Sequence, residues 1–200
     1  RVAIIGPNGI GKSTLLKAIT KQIPFNGTVE HGANVSIGYY DQEQENLTPT
    51  KTVLQELWDE YPSMLEKDVR SVLGQFLFSG DDAFKLVSSL SGGEKSRLAL
   101  AKLMLKEANV LILDEPTNHL DLDSKEILEN ALKDYSGTII FVSHDRFFIN
   151  RLATKVIELS PNGTTEYLGN YDYYIEKKSM QETKTETTLE KKTETNSDYL

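Results

Sequence analysis

Between a short apolar stretch and a helical one stands Gly6-Pro7-Asn8-Gly9-Ile10-Gly11-Lys12-Ser13, with Thr14 behind it. This G-x-x-x-x-G-K-[ST] spacing constrains the chain more than anything in its composition. The glycines let backbone amides turn inward around an anion, and the helix start behind them adds the positive end of its dipole. In such a cradle Lys12 reaches the outer phosphates of a nucleotide, and Ser13 offers a hydroxyl to Mg²⁺. Residues 2–5 precede the loop as a buried-type strand; Leu15, Leu16 and Ile19 follow at helical spacing, and Pro24 stops the pattern.

The rest of the chain supplies the other strands and helices of an α/β fold. Val110 to Leu113 and Thr138 to Val142 are apolar runs suited to strands covered on both faces. Residues 28–31 and 35–40 read as short strands joined by a Gly-Ala-Asn turn. From 51 to 79 the spacing is helical, through Val53, Leu54, Leu57 and Trp58, then Val69, Val72, Leu73, Phe76 and Leu77. A further helix follows Ser91. Asp123 with Glu126 predicts a helix starting at Ser124, Asp145 caps another, and Pro161-Asn162-Gly163 signals a hairpin. The expected fold is that of a P-loop NTPase, a mostly parallel sheet with an inserted helical subdomain that carries the helix after Ser91. Its core spans 1–42 and 108–178, its insertion 43–107. Over 179–200 Thr, Glu and Lys dominate and no face can be buried, so a charged linker or disordered tail, in part helical, is expected.

Composition closes off several classes. No apolar run approaches the roughly 20 residues of a membrane span, and without cysteine there is no zinc ribbon or disulfide framework. A cytoplasmic location fits, with no direct membrane insertion. The net charge of −8 argues against this domain gripping nucleic acid unaided. The chain opens on Arg1-Val2-Ala3-Ile4-Ile5, already a buried-type strand, and so reads as a piece of something longer.

Leu111-Ile112-Leu113-Asp114-Glu115 is the second chemical element. A carboxylate at the tip of a buried strand lies beside the phosphate loop in such sheets, where it can hold Mg²⁺. Adjacent carboxylates repel, which speaks against a purely structural role. The economical division gives Asp114 the metal and Glu115 the attacking water. Phosphate loop and terminal Asp-Glu together imply an ATPase, with ATP and Mg²⁺ as its cofactors.

Leu90-Ser91-Gly92-Gly93-Glu94-Lys95 sets the subclass, because here the chain resembles the ATP-binding-cassette superfamily with its LSGGQ or LSGGE signature. Ser91, Gly92, Gly93 and Glu94 open a helix, a second cluster of anion-binding amides. Two such clusters in one chain suit a sandwich dimer, in which each ATP lies between one cassette's phosphate loop and the other's signature. The resemblance assigns three further residues. Gln42 stands at the glutamine loop, contacting Mg²⁺ and water; Asp121 matches the D-loop that crosses the dimer interface; His144 matches the switch histidine on the γ-phosphate. Of the chain's other suggestive residues, His31 has no such context, and Trp58 reads as packing.

The spellings EPTNHLD (Glu115 to Asp121) and SHDRFF (Ser143 to Phe148) resemble the ABC-F branch, over roughly residues 1–178. YYDQE, FLFSGDD and LSGGEKSRL look like the second of that branch's two tandem cassettes. Only 49 positions separate Gln42 from Ser91, little room for the arm of a first cassette. The resemblance implies a second cassette as partner, in the same chain or as a homodimer. It also implies the ribosome, reached through regions outside this sequence, and in some members antibiotic resistance. The ATP-binding subunit of a membrane transporter shares fold and chemistry and stays the alternative. A chromosome or DNA-repair ATPase lacks its zinc motif or coiled coil here, and intact Lys12, Asp114, Glu115 and His144 disfavour a non-hydrolysing module.

Overall fold

The apolar strands assemble as their patterns require. In the computed structural model of the chain, residues 1–41 and 46–197 are described. Six strands form one sheet in the order β2-β3-β4-β1-β5-β6: β1 Val2–Ile5, β2 Ile37–Asp41, β3 Val110–Asp114, β4 Thr138–Val142, β5 Lys155–Ser160 and β6 Gly163–Tyr167. All neighbours are parallel except the β5–β6 hairpin.

Side chains alternate across the sheet, so each apolar run feeds two layers. Ile4, Ile112 and Val142 point to one face, where Leu16 of α1 (Lys12–Ile19) packs on them. Ala3, Leu111, Leu113 and Phe141 point to the other, beneath α4 (Gly92–Leu105), α5 (Leu122–Asp134) and α6 (Arg146–Leu152). There Phe148 meets Phe141 edge-on, centroids 5.3 Å apart. The region after β2 holds α2 (Val53–Trp58), α3 (Glu66–Gln75) and two single turns, Gly80–Phe84 and Val87–Ser89. Its buried carboxylate, Glu56, is paired with Lys102 of α4 at 2.9 Å and accepts from the Thr48 amide, which ties the helices together. Trp58 is a packing residue whose indole donates to the Met64 carbonyl at 3.0 Å.

Two expectations are corrected, and a third is met in part. Residues 28–31 form no strand, because most of the segment is exposed and offers no apolar face to a sheet. The helix expected from Ser124 begins at Leu122, since Asp121 already supplies the cap: its Oδ1 accepts from the Ser124 amide at 2.8 Å. Finally, α7 runs unbroken from Tyr171 to Ser197, through most of the expected tail. Tyr174 anchors its start in the core, Glu- and Lys-rich sequence favours the helix onward, and the side chains of residues 179–186 are exposed. Along the way the hydroxyls of Thr183, Thr185 and Thr188 bond the carbonyls four residues earlier.

Candidate active site

The phosphate loop, Asp114, Glu115 and His144 gather where the parallel strands end. Register places Asp41, Asp114 and Val142 level on β2, β3 and β4, with Ile4 of β1 beside Val142. The phosphate loop leaves β1 one residue beyond Ile5, at the point where successive crossovers diverge to opposite sides, the usual ligand crevice of such a sheet.

Within the loop, Gly9 (φ 80°) and Gly11 (φ 109°) hold left-handed conformations with open space around them, so backbone shape rather than packing calls for glycine. Lys12 is 93% buried by its own loop: its ammonium donates to the Gly6 carbonyl at 2.7 Å and to that of Pro7 at 3.0 Å. Ser13 and Thr14 follow on the exposed first turn of α1, whose amides lack intrahelical acceptors. Pro7, Asn8 and Ile10 complete the turn, and the Ile10 amide donates to the Pro7 carbonyl.

Asp114 ends β3 and is buried. Glu115 then turns out of the strand at φ 49°, an uncommon conformation for a residue with a side chain, and its amide donates to the Val142 carbonyl at 2.9 Å. The turn aims its carboxylate at the loop after β4. Oε2 accepts from the His144 amide at 3.3 Å, and Oε1 stands 3.2 Å from His144 Nε2. Burial raises the Glu115 carboxyl above its ordinary value, with Asp114 adding to the effect and His144 and Lys12 opposing it. Such a carboxylate is a stronger proton acceptor than an exposed one.

Ser91 to Glu94 lie apart from the phosphate loop's own contacts. Ser91 is exposed and caps α4 reciprocally: its hydroxyl accepts from the Glu94 amide while Glu94 accepts from the Ser91 amide, both at 3.2 Å. A Cβ on Gly93 would come within 3.1 Å of the His119 carbonyl, so the signature helix start abuts the turn leading to Asp121. Gln42 lies outside the described residues; Asp41 before it is bonded to Tyr39.

Several nearby residues were not singled out from the sequence. Lys125 pairs with Asp145 at 3.3 Å, linking the first turn of α5 to the residue after His144. Glu158, Tyr174 and Lys178 form a bonded cluster in a cleft of about 490 Å³ that opens beside Pro7 and His144. The positions after Asp121 and His144 could have flagged the first pair; nothing local could have flagged the second. A larger cleft, about 820 Å³ between α3, α4 and α5, contains none of the motif residues.

Fold and strand-end geometry together define an ATP-binding cassette of the P-loop class, an ATPase. The family model described as "ABC transporter" matches residues 1–118. The chain is 69% identical over 180 residues to YdiF of Bacillus subtilis, covering 90% of this chain and 28% of that protein. It is 47% identical to ABC transporter F family member 2 of Arabidopsis thaliana, over 88% of this chain and 26% of the relative. The energy-dependent translational throttle protein EttA of Escherichia coli is 42% identical, over 88% and 33%. The chain thus spans about a third or less of these relatives. Among solved structures, the dimeric post-hydrolysis cassette MJ0796 bound to ADP and Pi shares the fold, with TM-score 0.65 at 23% identity over 84% of both chains. The chain belongs to the ABC family, and its relatives place it in the ABC-F branch.

Proposed function

We propose that this cassette hydrolyses ATP at a site completed by a second cassette, and that closure and reopening of the pair drive an action on the ribosome. The observation that carries the chemistry is the Glu115–His144 contact at the strand ends that flank the Lys12 loop. The backbone amides of the Gly6 to Thr14 loop, Pro7 excepted, bind the phosphates, and Lys12 exchanges its two carbonyl partners for phosphate oxygens. Among the described residues no cluster of three or more His, Cys, Asp or Glu side chains could hold a metal alone. Mg²⁺ beside a nucleotide takes few carboxylates, one or two, and completes its shell with phosphates, other oxygens and water. Ser13, Asp114 and Gln42 would supply its protein ligands, and the ion would neutralise charge developing on the phosphates. Glu115 accepts a proton from water as the water oxygen attacks the γ-phosphorus and the bond to the departing ADP oxygen breaks. Before that step His144 leaves Glu115 and donates to the γ-phosphate, which frees the carboxylate for the water.

Ser91 to Glu94, at a helix start whose first two residues are exposed, would meet the nucleotide held by the partner cassette, with Asp121 crossing between the two. A cytoplasmic location and a ribosomal partner rest on kinship with the relatives, one of which is named for throttling translation; antibiotic resistance is one form such an action could take. The test is co-sedimentation of the full-length protein carrying Glu115→Gln. Turnover should fall by about a hundredfold or more, as when a general base is lost, and the variant should pellet with ribosomes in ATP but not in ADP. A variant that hydrolyses slowly yet stays in the supernatant would overturn the ribosomal part and favour the transporter reading.

A further inference from the structure

Two segments carry the hydrolytic residues, and they touch at both ends. One runs from Glu115 through Asp121 to Lys125, and the other from Ser143 to Phe148. At the first contact Glu115 holds both the amide and the ring of His144. At the second, Lys125 Nζ stands 3.3 Å from Asp145 Oδ2. Lys125 sits in the turn that Asp121 caps, and its amide donates to the Asp121 carbonyl at 3.0 Å. Asp145 follows His144 directly and uses its carboxylate fully: Oδ1 accepts from the Phe148 amide at 3.1 Å, and Oδ2 takes Lys125. Its amide donates to Ser143 Oγ at 3.0 Å, which fixes the turn around His144.

Hydrolysis must open the first contact, because Glu115 is needed for water and His144 for the γ-phosphate. Lys125–Asp145 lies clear of that chemistry and can persist. We propose that Lys125 is a positioning residue that makes the D-loop and the switch-histidine loop move as one body. The placement of Asp121 against a partner cassette would then set the placement of His144 at this cassette's own nucleotide. A partly exposed ion pair of this kind contributes little to stability, so its effect falls on geometry. The proposal rests on the reading of Asp121 as a residue that acts across the cassette interface.

The test is a double-mutant cycle on ATP turnover by the full-length protein. Lys125→Met should slow turnover about tenfold, within the usual range of coupling between sites, with ATP affinity and melting temperature nearly unchanged. Lys125→Arg should recover most of the rate. Asp145→Asn keeps an α6 cap while losing the charge, and should reproduce the Met variant. If the two loops are coupled, Asp121→Ala with Lys125→Met is no slower than the slower single variant. Defects that multiply, to about a hundredfold, overturn the coupling but leave the interface reading standing. An Asp121→Ala protein with the wild-type rate overturns both.

Discussion

At the scale of single residues, the site depends on side chains placed in costly positions. Glu115 combines a left-handed backbone with a largely buried carboxylate, and the fold tolerates this because the Val142 carbonyl and His144 amide fix it at both ends. Folding raises its pKa, chiefly through burial. A carboxyl raised in this way adds most stability while protonated, below its unfolded value of about 4.3, and that stability is lost as pH rises through the higher folded value. Once ionised, Glu115 carries the cost of its partial burial in the native protein. Glu115→Gln should accordingly melt above the wild type at pH 7, and the gap should close as pH falls below about 4. Equal melting curves throughout would mean that burial does not govern this carboxylate. His144 is the complementary case: its placement was legible as an order of motifs, while its contact with Glu115 depends on the register of β3 and β4.

At the scale of elements, α7 shows how a long helix is anchored through its first turns. Its docked end carries Tyr174, packed edge-on against Tyr167 of β6 at 4.9 Å, with its hydroxyl donating to Glu158 of β5. Lys178, one turn on, joins the same carboxylate at 2.9 Å. Burial first, then the bond to Glu158, pushes the Tyr174 phenol up to about 12, whereas Glu158 is lowered by its bonds to Tyr174 and Lys178 against the effect of burial. The stability tied to the neutral phenol is complete below pH 10 and disappears as pH rises towards about 12. Absorbance titration should resolve one tyrosine ionising near that upper value, and Tyr174→Phe should abolish it. The same variant keeps the ring but loses a hydrogen bond to a charged group, typically about 1.5–3 kcal/mol. Amide exchange over the first turns of α7 should then quicken by roughly tenfold or more, since 1.4 kcal/mol is a factor of ten. Unchanged exchange would show that the aromatic pair alone docks the helix. Such an anchor is invisible in sequence, because Glu158, Tyr174 and Lys178 meet only once β5 and the β6–α7 turn have formed.

At the scale of the whole molecule, the exposed helix start capped by Ser91 is the feature with the widest consequence. Ser91→Arg adds a bulky cation at an exposed helix start and removes a cap that contributes about 1 kcal/mol. ATP affinity should change less than about twofold, while turnover of the full-length protein falls by about a hundredfold, the scale of losing an anion-stabilising donor. Normal turnover in that variant would end the composite-site reading. What the sequence determined by itself was local: which runs become strands, because burial on both faces requires continuous apolar residues, and where the glycines of the phosphate loop must fall. Motif order by itself singles out Lys12, Asp114, Glu115, Ser91, Asp121 and His144 as candidates. The start of α5 went astray by two residues because two aspartates, Asp121 and Asp123, compete as caps and only the path of the chain out of the preceding turn chooses. The tertiary structure decided which of these residues share a crevice, that α7 continues well past Tyr174, and that Lys125 reaches Asp145. Those outcomes depend on strand register and helix placement, set by packing among residues far apart in the chain, and no local pattern encodes them.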